Sequence, residues 1–382
     1  MDAADFSEDA PGTLISLPEG APAFVPNRLP PPLHLSPALL PDVEAARGAV
    51  SELVGQARLV ANLELVARAL ARREAVLSSR LEGTNTEIVE VLLQQADTAP
   101  VEEDTDLHEV LNYTETISLA RAWMDEGRRL GPPLIKDLHS RLLSGVRGRD
   151  KRPGEYRLKN VYIGDRARGF KGARFVPPPY EHVPLLMDDL VAFTAGSPAY
   201  GPMIDSALAH YQFETIHPFE DGNGRLGRLL VPLQLVERGV LDRPLIYLGP
   251  FLDAHEAEYR DGLLQVSRSG SWEAWLRFFL EALRATATDA LQRVQSIMEL
   301  QLRYRELLRL RASSKFAFPA LDLVFDSVFV SAGQLATTFS TTPTTARAII
   351  DSFVDLGILK PYGRVAHRHR WVCHELLERV YQ

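Results

Sequence analysis

The residues whose types and spacing could do chemistry lie together in His217-Pro218-Phe219-Glu220-Asp221-Gly222-Asn223-Gly224-Arg225-Leu226-Gly227-Arg228. Twelve positions hold an imidazole, a carboxylate at Asp221, three glycines, an amide and two guanidiniums, just before the apolar run Leu229–Leu233. Gly222 and Gly224 admit backbone angles closed to other residues and let a ligand approach the main chain. The N–H groups opening the following helix have no partner within it, and the positive end of the helix dipole lies behind them, which makes an anion cradle. Arg225 and Arg228, three apart at a helix start, share a face from which they can grip phosphate groups bidentately. Asp221 is an oxygen ligand of the kind Mg²⁺ takes together with phosphates. His217 is the one group in the run that exchanges a proton near neutral pH.

A second stretch, Ser78-Ser79-Arg80-Leu81-Glu82-Gly83, ends a helix that the pattern starts near Ala67, with Gly83 as the residue that stops it. Glu82 then sits in the last turn, where the helix dipole disfavours a negative charge, so a cation is expected to answer it.

These residues also carry a resemblance. The run from His217 to Arg228 fits the Fic signature His-Pro-Phe-x-Asp/Glu-Gly-Asn-Gly-Arg-x-x-Arg at every fixed position. Proteins of that family typically transfer AMP from ATP to a hydroxyl side chain of a target protein. The resemblance implies ATP as substrate with its phosphates on Gly222, Asn223, Gly224, Arg225, Leu226, Gly227 and Arg228, Mg²⁺ at Asp221, and His217 as the base. Ser78 to Gly83 fits the family's inhibitory motif Ser/Thr-x-x-x-Glu-Gly/Asn. By resemblance Glu82 pairs with Arg228 and denies that arginine to the γ-phosphate, while Ser78, one turn earlier, orients the helix end or touches a phosphate. Residues 160–176 resemble the family's flap, a hairpin that holds the target segment by its free edge. Val161, Tyr162 and Ile163 of the flap and Tyr259 are assigned to the nucleotide pocket, with His255 beside Tyr259. Glu109, Asn112 and Tyr113 recur in relatives as scaffold beneath the site.

The rest of the chain must position these groups. Its 382 residues carry a net charge of −8 and a pI near 5.7, so the molecule as a whole is no polyanion-binding protein. One cysteine, Cys373, excludes an internal disulfide. The start Met1-Asp2-Ala3-Ala4-Asp5 lacks the basic residues and apolar core of a signal peptide, and no apolar run is long enough to span a membrane, so a cytoplasmic location is expected. The expected fold is mainly α. Residues 1–42 read as an extended Pro-rich arm and 43–105 as a helical segment carrying the inhibitory helix, with an acidic break at Pro100 to Asp104. A Fic-type helical core with its β-hairpin flap follows over 106–312. The basic run Arg147, Arg149, Lys151 and Arg152 reads as a solvated loop.

Residues 313–382 read as a small separate domain of helix, turn, helix and hairpin, resembling a winged helix. Its second helix offers Thr342, Thr344, Thr345 and Arg347, and its wing Lys360, Arg364, His367, Arg368, His369 and Arg370. Use of this domain on DNA, on protein or in a homodimer stays open, because the second helix has one cation to meet phosphates.

The expected activity is protein adenylyl transfer restrained by Glu82, onto a target docked at the flap or onto the chain itself. Two rivals stand beside it. One is removal of AMP with Glu82 orienting a water, and the other is a DNA-binding regulator whose core senses nucleotide; an intact His217 argues against the second.

Overall fold

The structure is a computed structural model describing residues 1–60, 62–96, 106–165, 167–311, 314–365 and 368–381, with backbone alone for 364, 365 and 368. The acidic break at Pro100 to Asp104 and His367 lie outside the described residues.

The first forty residues are not a simple arm. Strands β1 (Gly12–Ser16) and β2 (Pro22–Pro26) form an antiparallel hairpin pairing Leu14 with Phe24. Phe24 is fully buried, stacked on Phe6 and tilted against Phe175, and prolines at both ends of β2 are tolerated because the strand lies at an edge.

Three helices follow: α1 (Leu40–Ala57), α2 (Leu63–Arg80) and α3 (Ile88–Gln95). Helix α2 starts one turn before the expected Ala67, because the Asn62 side chain caps it by accepting from Leu65 N. Its end is a Schellman motif: Thr84 N donates to Ser79 O and Gly83 N to Arg80 O, with Gly83 at φ +88°. Glu82 is thereby held at the C-terminal lip of α2.

Next come α4 (Asp106–Asp125) and α5 (Pro132–Leu142), then the short strands β3 (Ile163–Gly164) and β4 (Ala173–Phe175), the observed flap. The remaining core helices are α6 (Val183–Ala195), α7 (Pro202–Ile216), α8 (Asn223–Glu237), α9 (Gly249–Ala254), α10 (Glu256–Ser269) and the forty-residue α11 (Trp272–Arg311). His255 breaks the helical run with a non-helical backbone between α9 and α10. Helices α7 and α8 are buried almost throughout, so they form the rigid centre on which the signature is hung.

The C-terminal unit runs α12 (Ala317–Ser327), β5 (Phe329–Val330), α13 (Ala332–Thr338), α14 (Pro343–Asp355), β6 (Lys360–Val365) and β7 (Arg368–Val372), with sheet order β5-β7-β6. Ser331 and Thr342 cap α13 and α14 through their hydroxyls. This unit is not separate. One apolar cluster runs from Leu65 and Ala69 of α2 through Leu300, Tyr304 and Leu308 of α11 into Phe325, Ile350, Val380 and Tyr381. Buried Arg72 of α2 donates to Asp326 O at 2.6 Å and to the Tyr381 hydroxyl at 3.2 Å.

Candidate active site

The C-terminus of α7 and the N-terminus of α8 meet at the signature. His217 closes α7 in a left-handed conformation (φ +50°), uncommon for a side-chain-bearing residue and held in place by its neighbours. Gly222 takes φ +76° to turn the chain into α8. Between them Asn223 locks the loop, donating from Nδ2 to Phe219 O and accepting from Phe219 N, each at 2.9 Å. Both ends of its amide are committed to the loop, and the side chain is buried. The first helical bond of α8 runs from Leu226 N to Gly222 O, so the N–H groups of Asn223, Gly224 and Arg225 come before it and form the cradle. The Leu226 side chain lies in the core with no exposure.

His139 of α5 supports the loop from below. Gly154 N donates to its Nδ1 at 2.8 Å, which leaves Nε2–H to donate to Asp221 O at 2.9 Å, and its ring stacks on Phe219 at 3.7 Å. Burial lowers its pKa to about 4, so it stays neutral and keeps that tautomer. The Asp221 carboxylate accepts from Gly222 N at 2.7 Å and faces Gly148, where any side chain would crowd it. Among the described residues no three His, Cys, Asp or Glu come together as a metal cluster, so a cation here would have the Asp221 carboxylate with waters and substrate phosphates, a set that Mg²⁺ accepts.

His217 itself is shifted to a pKa of about 4 by burial, then by the nearby Arg157 guanidinium, and is neutral at physiological pH. Arg157 went unnoticed in the sequence. It is 1 % exposed and donates to His217 O at 2.9 Å, Pro178 O at 2.6 Å, Lys159 O at 3.1 Å and Ile216 O at 3.3 Å. One guanidinium thus ties the His217 main chain to both ends of the flap. A Gly-x-x-Arg before a strand is the signal available in the sequence, and it is too common to single out.

The expected partner of Glu82 is present. Arg228, 2 % exposed, donates from Nη2 to Glu82 Oε1 at 2.7 Å and to Ser78 O at 2.9 Å, and from Nε to Ser78 Oγ at 2.6 Å. Ser78 therefore orients the arginine. Burial pushes the Glu82 carboxyl up, Arg228 outweighs it, and the group ends below its ordinary value. Gly224 is needed here because a Cβ there would overlap the Glu82 carboxylate and approach Arg228 Nη1 to 2.8 Å. The Glu82 carboxylate thus occupies the mouth of the cradle.

Arg225 is completely buried, with Nη1 on Glu109 Oε2 at 2.9 Å, while Nε and Nη2 have no hydrogen-bond partner among the described residues. Glu109 also receives Arg147, which reaches Glu82 O as well, so Arg147 is a rim residue and not part of a solvated loop. Tyr113 donates to Arg225 O at 2.9 Å, and Asn112 to Ser144 O at 2.6 Å.

The remaining expected site residues are spread more widely. Tyr259 is 5 % exposed, stacked on His210 with its hydroxyl 2.9 Å from His210 Nε2 and tilted against Trp275, and that hydroxyl also interacts with Arg228, so it backs the site's arginine from within the core. His255 stacks on Phe251. The Tyr162 ring packs on Phe170 and the N-terminal hairpin cluster, Val161 is half-buried, and Ile163 is exposed. Glu214, two residues from Ile216, lies against Gly227 with Oε1 buried and without a hydrogen-bond partner, and burial pushes its pKa up to about 7.

Residues 129–235 match the model of the Fic/DOC family, and residues 40–122 match that of the Fic/DOC family N-terminal region. The chain is 31 % identical over 181 residues to a probable protein adenylyltransferase of Aquifex aeolicus, covering 45 % of this chain and 50 % of that one. It is 31 % identical over 154 residues to the protein adenylyltransferase Fic of Aedes aegypti, covering 40 % of this chain and 27 % of that one. It therefore spans half or less of these curated relatives. A Fic family protein from Desulfovibrio desulfuricans shares the fold, with a TM-score of 0.56 and 21 % identity over 90 % of this chain and 98 % of that one. With the signature on the α7–α8 turn and both regions matched, the chain belongs to the Fic/DOC family.

Proposed function

We propose that the chain transfers AMP from ATP to a Tyr, Ser or Thr hydroxyl, on a target protein or on itself, and that Glu82 restrains this reaction. The observation that carries the reading is Arg228, on the first turns of the helix that follows His217, held by an internal carboxylate with Nη2 2.7 Å from Glu82 Oε1. ATP phosphates take the place that Glu82 now fills at Asn223 to Arg225, with Arg228 and the unpartnered nitrogens of Arg225 on the β- and γ-phosphates. Mg²⁺ held at Asp221 would neutralise charge on the phosphates. His217 accepts the proton of the incoming hydroxyl as its oxygen bonds to the α-phosphorus and the bond to the bridging oxygen breaks, releasing pyrophosphate. Alignment and charge neutralisation supply most of the acceleration in such transfers, and a general base typically adds about 10²- to 10⁴-fold.

The test is incubation with ATP labelled at the α- or at the γ-phosphate. Protein-bound label from the α position alone supports AMP transfer; label from the γ position, or from neither with the Glu82→Gly variant, refutes it.

For the C-terminal unit, the order of three helices and a three-stranded sheet supports a winged helix. Arg347, the cation of its second helix, is held by Asp351 at 2.9 Å and lies over the Trp371 ring at 4.8 Å, while Thr342 and Thr345 bond each other. With these groups engaged, protein contact is the better-supported use. Among the described residues no helix is long and apolar enough to cross a membrane.

A further inference from the structure

The surface beside the flap has a charge opposite to that of the molecule. Residues 147–174 carry ten Lys and Arg against three Asp and Glu, in a chain of net charge −8. Three of these cations lie around the mouth of the site or the flap. Arg147 bonds Glu109 and Glu82 O, Lys159 pairs with Glu220 of the signature at 2.6 Å, and Arg174 reaches Asp261 on α10. Arg149, Arg152 and Lys171 are exposed, with the Asp150 carboxylate beside Arg149. Within this rim two large apolar side chains stand open to solvent, Leu158 at 58 % and Ile163 at 37 %.

The geometry also fixes which edge of the flap is open. Phe24 N donates to Val176 O at 2.9 Å, so the N-terminal hairpin covers the chain leaving β4. Among the described residues β3 pairs with β4 alone. Arg157 N donates to Pro218 O at 3.0 Å, and together with the Lys159–Glu220 pair this lays the approach to β3 along the signature loop. The chain even offers a small precedent for the chemistry: the Glu19 carboxylate of the N-terminal hairpin accepts from Asn160 Nδ2 at 3.1 and 3.2 Å, beside the start of the flap.

We infer that the segment docked along β3 is an acidic stretch of a protein, with an apolar residue set on Leu158 and Ile163 and carboxylates flanking it that meet Arg149, Arg152 and Lys171. The inference rests on the proposed hydroxyl-directed reaction only for why a segment is held there; the recognition itself follows from charge and exposed apolar surface. Main-chain bonds to β3 supply affinity with little sequence selectivity, and the basic rim supplies the selectivity and speeds encounter.

The experiment uses the full chain and two fluorescent peptides of equal length with a central Leu and one Tyr, one flanked by Asp and Glu and the other by Lys, followed by anisotropy at low and high salt. The acidic peptide is expected to bind at least about tenfold more tightly than the basic one at low salt, and to lose that margin at high salt. Arg149→Glu with Lys171→Glu should remove the preference while leaving thermal stability unchanged, since both side chains are exposed. Equal binding of the two peptides, or an unaltered preference in the double variant, overturns the inference. So does a single-stranded RNA of similar length that binds at least as tightly as the acidic peptide, which would make the rim a general polyanion surface. Because binding is read without catalysis, the two readings fail separately. Acidic-peptide binding without AMP transfer sinks the reaction, and self-labelling with AMP without peptide preference sinks the docking.

Discussion

Glu82 Oε1 lies 2.7 Å from Arg228 Nη2 at the point where α2 ends and α8 begins, 146 residues apart in the chain. The carboxylate fills the volume that Gly224 leaves open, and under the proposed function the pair would hold ATP off by charge and by space. Glu82→Gly removes both obstacles. A misplacement of about 1 Å at the α-phosphorus can cost about 10²-fold in rate, so AMP labelling by this variant should exceed wild type by about that factor. Gln at 82 keeps the shape without the charge and should fall between. Adding Arg228→Ala to Glu82→Gly should abolish the gain. Equal α-phosphate labelling by wild type and Glu82→Gly would show that the pair is structural.

His217 gives a pH signature. Its pKa of about 4 lies below the ordinary value near 6.5, so the neutral form is the populated one down to about pH 5. Activity of Glu82→Gly should therefore show no acid limb between pH 6 and 7, and should fall only as pH drops toward 4, provided the protein stays folded. An imidazole limb at the ordinary value would mean that nucleotide binding recharges the ring. His217→Ala should abolish transfer and leave ATP affinity, read by calorimetry, within a few-fold.

Arg157→Lys tests the tie between flap and base. A lysine cannot donate to four carbonyls, and buried carbonyls left unpaired cost about 1–3 kcal/mol each, so the melting temperature should drop. Peptide-labelling kcat should fall more than the KM for ATP rises, because the residue touches the base and the flap and no phosphate-binding group. A lower melting temperature with unchanged kinetics would limit Arg157 to stability.

The signature and the Glu82 partner were legible because both rest on local rules: glycine angles, a helix N-terminus, and a negative charge at a helix C-terminus that needs a cation. What was hidden depends on contacts far apart in sequence. Arg147 looked like one of four solvated cations until Glu109 folded beside it. Tyr259 had the spacing of a pocket residue and the burial of a core one. The N-terminal hairpin escaped because prolines argue against a strand, and those of β2 stand only at its two ends, flanking the Phe24 N–H that bonds outward to Val176 O. The fusion of the C-terminal unit with α2 left no local trace, since Arg72 finds its carbonyl 254 residues away.

Asp221 gives a metal test. Asp221→Asn keeps the hydrogen bond from Gly222 N and removes the charge that Mg²⁺ would meet. ATP affinity of Glu82→Gly/Asp221→Asn, titrated with and without Mg²⁺, should lose most of its metal dependence. A titration indistinguishable from Glu82→Gly would rule Asp221 out as the ligand.

Arg72 links the C-terminal unit to the restraint. It donates to Gln95 at 2.6 Å, Asp326 O at 2.6 Å and the Tyr381 hydroxyl, on the same helix that ends just before Glu82. Two positions on, Glu74 accepts from Gly249 N at 2.8 Å, so α2 is pinned on two sides. The Arg228 contacts to Ser78 and Glu82 need α2 in register, because a hydrogen bond weakens steeply once its geometry is lost. Arg72→Met keeps the aliphatic volume and removes the anchors, which should lower stability by about 1–3 kcal/mol by leaving Asp326 O unpaired. With that anchor gone, α2 should sample displaced positions, and AMP labelling should rise several-fold while staying below Glu82→Gly. Combining the two substitutions should add nothing to the labelling of Glu82→Gly, since both act on the same restraint. A melting temperature that drops while labelling stays at the wild-type level would show that Glu74 and the core hold α2 alone, and that the C-terminal unit does not influence the restraint.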